Sequence, residues 1–268
     1  MSVPARHTVL LLALAPLGCA SLAKQPPTPA RDIPLVAAIQ AQSPPGERYF
    51  LLVFGSESRP KKAKFTHTWA TMVRVNEVEN GPPAIEQLTI SWMPATLEIR
   101  PGSFNVEPGG NLELAFTIEE MLRHDEHIAV WGPYEVGPVF YQRFILQKQF
   151  LESGAVGYQC IDTVGEAART GNGCDCIHAI TDMDPIFDRG RYPLSYFGEA
   201  ASRHIVKQLH RRPTIIGPAQ CHDWLIPLLG LDRYPIERQI WNGPVVENTP
   251  ANVERYLNSH PSRQNRCR

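Results

Sequence analysis

The stretch from Thr66 to Val75 alternates without a break. His67, Trp69, Thr71, Val73 and Val75 fall on one face and Thr68, Ala70, Met72 and Arg74 on the other, a period of two that only a β-strand satisfies. Ahead of it, Tyr49 to Phe54 is a near-continuous apolar run ended by Gly55-Ser56, as a buried strand requires. After the turn Asn80-Gly81-Pro82-Pro83, a third strand is expected from Ile85 to Trp92, paired antiparallel with the Thr66–Val75 strand and closed by Pro94. A short further strand is expected from Thr96 to Ile99, before the Gly/Pro-rich segment 101–110.

Helical patterns follow. Thr117-Ile-Glu-Glu120 has capping-box spacing and predicts a short amphipathic helix to His127. Ile128 to Trp131 reads as a short strand. Pro138 suits the first turn of a longer helix to Ser153, with Phe140, Phe144, Gln147 and Leu151 on one face and Gly154 as its stop. Val156 to Cys160 reads as a strand, Glu199 to Arg211 as a helix ended by Pro213, and Asn252 to Leu257 as a last helix. Strands concentrated early and helices late predict an α+β fold rather than a doubly wound sheet.

The N-terminus constrains the compartment. Arg6 and His7, the apolar run Thr8 to Leu17 and then Gly18-Cys19-Ala20-Ser21 follow the charged, apolar, small-residue order of a secretory signal, and the run is too short to span a bilayer. Leu17-Gly18-Cys19 resembles a bacterial lipobox, which makes Cys19 the lipidation candidate; Pro16 stands where lipoboxes usually carry Leu, and cleavage after Ala20 is the alternative. The expected organisation is a signal segment over 1–20, a Pro-rich leader over 21–46 and one globular domain over 47–268. The expected location is outside the cytoplasm, periplasmic or membrane-anchored through the N-terminal lipid. Formal net charge is -1 with 20% charged residues, and the even scatter of Lys and Arg argues against a nucleic-acid binder.

Six cysteines lie at 19, 160, 174, 176, 221 and 267. With Cys19 acylated or removed, five remain in an oxidising compartment, and an odd number leaves at least one thiol without an intrachain partner. The segment Asn172 to Ile180 turns from a polar Gly-rich loop into an apolar-periodic stretch with Asp175 as a natural N-cap. Cys176 then falls in the first helical turn, where the dipole and free N–H groups favour thiolate. A thiolate nucleophile needs a base, and His67 is the histidine on a strongly patterned strand. A third polar residue orients such a base. Ser91, before Trp92 on the adjoining strand, is the candidate, ahead of Thr89 and Glu98. A catalytic Cys176 must stay free, so Cys174 is expected in a disulfide, with Cys160 or Cys221 as partner. His178, two residues past Cys176 on the helix, points to another face and reads as structural.

Thr66-His67-Thr68-Trp69-Ala70 and Asp175-Cys176-Ile177-His178 together resemble the circularly permuted papain-like group, which includes the lecithin:retinol acyltransferase family and permuted NlpC-type amidases. Asp175 stands where the acyltransferase motif has Asn, and Ala179 where it has an aromatic residue. Over most of its mature length the chain also resembles a set of bacterial exported proteins, through Phe54-Gly55-Ser56, Thr89-Ile-Ser-Trp92, Trp131-Gly-Pro-Tyr134 and Cys176-Ile-His-Ala179; that likeness carries no activity. The first resemblance implies a papain-like antiparallel sheet with packed helices, Cys176 as nucleophile and His67 as base. It implies a cysteine hydrolase or acyltransferase acting on an amide or ester of an envelope peptide, lipid or protein. The alternative is a non-catalytic envelope-associated binding lipoprotein that keeps the fold. A zinc reading of Cys174-x-Cys176-x-His178 with Cys221-His222 lacks paired Cys-x-x-Cys spacing. No cofactor or metal is expected, since no P-loop, dinucleotide fingerprint or Gly-x-Ser-x-Gly elbow occurs.

Overall fold

The computed structural model describes residues 28–33, 42–187, 196–217 and 222–259. The signal segment and the cysteines at 19, 221 and 267 lie outside them. The chain is α+β, with a mixed six-stranded sheet at its centre. β1 (Glu47–Glu57) is the apolar run read from the sequence, and Tyr49 to Ser56 are buried along it. It pairs antiparallel with β2 (Thr66–Asn76) over its whole length, from Glu47 opposite Asn76 to Glu57 opposite Thr66. Along its other edge it pairs antiparallel with β6 (His127–Val136). β3 (Ala84–Ile90) extends the sheet beyond β2, with Ala70 opposite Ile90. The expected β2–β3 hairpin is therefore present, and Trp92 belongs to a separate short strand, β4 (Trp92–Pro94), paired with β5 (Gly109–Asn111).

The second half of the chain completes the sheet at the β6 edge. β9 (Ile215–Gly217) pairs antiparallel with the end of β6, and β10 (Ile236–Gln239) pairs parallel with its beginning. β7 (Gly157–Tyr158) and β8 (Gly173–Cys174) form a small parallel pair of their own. Thr96 to Ile99 forms no strand; the chain turns there, with Leu97 at a φ of 60° and its N–H on the Pro94 carbonyl.

α1 (Leu114–Arg123) opens three residues before the expected capping box. Leu114, Ile118 and Met121 supply the buried stripe, while the Thr117 hydroxyl donates back to the Glu113 carbonyl at 2.9 Å instead of capping. It also ends early, because the chain from His127 onward is claimed by β6. α2 (Pro138–Glu152) matches the expected helix, and Phe140, Phe144, Gln147 and Leu151 are buried. α3 (Gly165–Thr170), α4 (Cys176–Thr181), α5 (Glu199–His210), α6 (Leu225–Leu228) and α7 (Pro250–Ser259) complete the helices of the described residues. Part of the expected leader is docked on the body. Pro29–Asp32 forms a single 3-10 turn against α2, Ala30 is buried, the Thr28 hydroxyl donates to Gln147 and Arg31 reaches the Asp182 carbonyl at 2.6 Å.

α5 crosses the sheet at unusually close range. A Cβ at Gly55 would lie 2.7 Å from Glu199 Cα and 2.7 Å from Ser202 Oγ. The Ser202 hydroxyl uses that approach to donate to the Phe54 carbonyl at 2.6 Å. Gly55→Ala should push α5 off the sheet and break this bond, at a cost of about 1–3 kcal/mol. The check is a urea unfolding curve, whose midpoint should fall with its slope unchanged.

Candidate functional site

β2 carries His67, and the strand's alternation decides where the ring points. Thr68 lies opposite Gly55 and faces α5, where its hydroxyl donates to the Gly198 carbonyl at 3.2 Å. His67 lies opposite Ser56 and faces the other side of the sheet, where the Ser56 hydroxyl donates to Glu126 at 2.6 Å. The ring is fully buried, stacks on Trp69 at 5.4 Å, and places Nε2 2.9 Å from Ser91 Oγ. The structure thus brings His67 and Ser91 together. Among the described residues Nδ1 has no hydrogen-bond partner, and burial pulls the ring's pKa from its ordinary 6.5 down to about 3. His67 is a neutral imidazole inside the protein.

Cys176 opens α4 as expected. The Asp175 carboxylate caps the helix, accepting from the Ile177 N–H at 2.9 Å and the His178 N–H at 2.7 Å. The cysteine lines a cavity of about 10 Å³ together with Thr66, Tyr158, Cys160 and Gly198, room for about one water. Thr66 has the parity of Thr68, so this cavity is on the α5 side of β2. His67 points to the opposite side, and no hydrogen bond joins its ring to Cys176. Burial, then the neighbouring Asp175 carboxylate, pushes the Cys176 thiol well above its ordinary pKa; the backbone N–H groups of Thr68 and Cys176 itself pull the other way and lose. A six-residue helix offers little dipole to oppose a carboxylate at its own N-cap.

Cys176 is free, as expected, and so is Cys160, so no bridge joins Cys160 to Cys174; the other expected partner, Cys221, lies outside the described residues. The Cys174 thiol donates to the Asp175 carbonyl at 3.4 Å. β7 and β8 explain why. Their parallel register sets Tyr158 beside Cys174, and Cys160 and Cys176 each follow two residues on, so like positions line up rather than Cys160 and Cys174. The Cys160 thiol is pushed up to about 12, first by burial and then by the Asp175 carboxylate.

Sequence reasoning missed the partner of His178. Asp162, far from any recognisable motif, places Oδ1 2.7 Å from His178 Nδ1, and Asp175 Oδ2 lies at 3.1 Å from the same atom. All three are buried. Burial alone would lower the pKa of His178, but the two carboxylates override it and hold the imidazolium well above its ordinary range. Asp162, Asp175 and His178 are the group of donor atoms among the described residues that converges closely enough for a metal ion. Their donors are committed to one another: Asp162 Oδ2 accepts from the Asp175 N–H at 3.3 Å, and Asp175 Oδ1 holds the helix N-terminus. The zinc combination of Cys174, Cys176 and His178 does not converge. Asp184 accepts from the Ile186 N–H at 2.9 Å, closing a turn, and also pairs with buried Arg143.

A much larger space lies between α5 and the segment following β10. This cleft of about 820 Å³ is bordered by Trp131, Tyr196, Arg203, Lys207 and Trp241. Its helix was legible in the sequence, but its far wall, assembled from residues 239–243, carries no local signal.

Compared with family models, curated proteins and solved structures, the chain matches none.

His67 makes stability depend on pH. Its folded pKa is depressed, so below pH 6.5 the unfolded chain takes up a proton that the folded protein refuses until about pH 3. The free energy of unfolding should fall by a few kcal/mol, in order of magnitude, across that window. His67→Gln, which cannot titrate, should flatten the slope in urea titrations run at successive pH values.

Proposed function

We propose that this chain is an exported, membrane-tethered binding protein on a papain-like, circularly permuted α+β scaffold, in which His67, Ser91 and Cys176 hold structure rather than perform catalysis. The observation that carries the reading is the opposed placement of His67 and Cys176 on the two sides of β2. A general base must lie within hydrogen-bond reach of the proton it removes, directly or through one water. His67 donates to or accepts from Ser91 instead, buried and neutral, and Cys176 keeps its proton beside Asp175.

One observation favours the competing reading, an exported cysteine hydrolase or acyltransferase in which Cys176 attacks an amide or ester and His67 carries the proton. The backbone amides of Thr68 and of Cys176 itself act to lower the thiol's pKa, the direction a nucleophilic cysteine needs, although burial and Asp175 outweigh them. Alkylation separates the two. On the binding reading, iodoacetamide should modify Cys176 more slowly at neutral pH than it modifies a small free thiol, and His67→Ala should leave that rate unchanged. Fast labelling that His67→Ala abolishes would establish the catalytic pair.

Tethering is assigned to a lipid on Cys19. No helix among the described residues is long and apolar enough to cross a membrane. Thr28 is already docked on α2, and about nine residues of chain reach at most ~30 Å, so the tether would hold the α2 side close to the bilayer. Cys19→Ser should move the protein from the membrane fraction to the soluble exported fraction; continued membrane partitioning of that variant would point to another anchor.

A further inference from the structure

The cleft beside α5 is lined by two neighbouring cations of that helix, Arg203 and Lys207. Arg203 and Lys207 stand four residues apart on α5, which puts them side by side on one helix face. Among the described residues neither has an ion-pair partner. The nearby carboxylates are committed elsewhere: Glu57 accepts from Lys61 at 2.8 Å, and Glu199, one turn before Arg203, is paired with His127. Two adjacent cations thus face an open space of about 820 Å³, within the range of small-molecule sites.

The opposite wall is aromatic and held in place. The Trp241 indole folds back over Gly243, where a Cβ would lie 2.3 Å from Trp241 Cζ2, so only glycine permits the pose. One face of the indole stacks on His210 at 5.4 Å and an interplanar angle of 16°. Nε1 donates to the Pro244 carbonyl at 3.3 Å. Tyr196, 42% exposed, adds a second aromatic surface to the same cleft. A ring fixed as Trp241 is offers apolar area at little entropic cost on binding.

We infer that this cleft binds a compact anionic saccharide, a sugar acid or sugar phosphate, with Arg203 and Lys207 holding the anion and Trp241 packing on the apolar face of the sugar ring. Two neighbouring cations suit one carboxylate or phosphate and its fork of oxygens. A sugar presents a flat array of C–H bonds to an aromatic face and hydroxyls to the polar rim. The assignment rests on the binding reading above and names the ligand class for it.

Titration calorimetry of the mature protein with digalacturonate, glucose 1-phosphate and maltose tests it. At least one anionic sugar should bind, more weakly as salt is raised, and maltose should bind at least about tenfold more weakly. Digalacturonate alone would indicate a carboxylate ligand and glucose 1-phosphate alone a phosphate. Arg203→Gln with Lys207→Gln should cost at least about tenfold in affinity with an unchanged melting midpoint, since both side chains are at the surface. Gly243→Ala, which displaces the indole and leaves the cations, should weaken binding as well. Equal binding of maltose, no binding of any probe at on the order of 10 mM, or indifference to the double substitution would overturn the assignment. Recovery of digalacturonate cleaved after long incubation would leave the site standing and overturn the non-catalytic reading.

Discussion

The fold depends on the burial of β1. Tyr49 to Ser56 are enclosed on both faces, and both edges of the strand are paired, with β2 on one side and β6 on the other. A strand in that position cannot satisfy its backbone from solvent, so its hydrogen bonds fix the registers of both neighbours. Once those registers are fixed, the parity of every residue on β2 and β6 follows. Gly55 and Thr68 face α5, Ser56 and His67 face away, and no local rearrangement exchanges them without slipping the strand by one residue.

The same constraint sets the distance at which helices pack. Gly55 removes a side chain from the α5 face, and the helix settles until Ser202 reaches the Phe54 carbonyl. Gly109 plays a similar part in the small β4–β5 sheet, where a Cβ would lie 2.2 Å from the Trp92 ring. The close seating of α5 leaves its outer face, with Arg203 and Lys207, as one wall of the large cleft. The thiol cavity at the inner end of α4 is closed by the same packing, with Gly198 lining it just ahead of α5.

Buried ionisable groups are handled in two ways. Where carboxylates lie close, charge is retained: His178 sits as an imidazolium between Asp162 and Asp175, and Arg143 is paired with Asp184. Where none lies close, charge is given up: His67 is pulled down to about 3 and His210 to about 4, in both cases by burial. The two modes meet around α4. The carboxylate that caps the helix and holds His178 also raises the thiols of Cys176 and Cys160, so a residue that anchors the fold suppresses the nucleophile beside it.

Local pattern in the sequence was enough for the elements whose burial is regular. The apolar run of β1, the alternation of β2, the hairpin to β3, the stripe of α2 and the Asp175 cap before Cys176 all follow from side-chain periodicity and capping chemistry, which act over a few residues. The His67–Ser91 pair was legible for the same reason, because it spans one hairpin. Contacts across long separations had no such signal. Asp162 meets His178, part of the leader docks on α2, β10 runs parallel to β6, and residues 239–243 close the cleft against α5, each through packing that no single segment encodes. The relation of His67 to Cys176 is of this second kind. Sequence set each on its own element, but which face of β2 receives α4 was decided by where a six-residue helix could bury Ile177, Ala179 and Ile180 against the finished sheet.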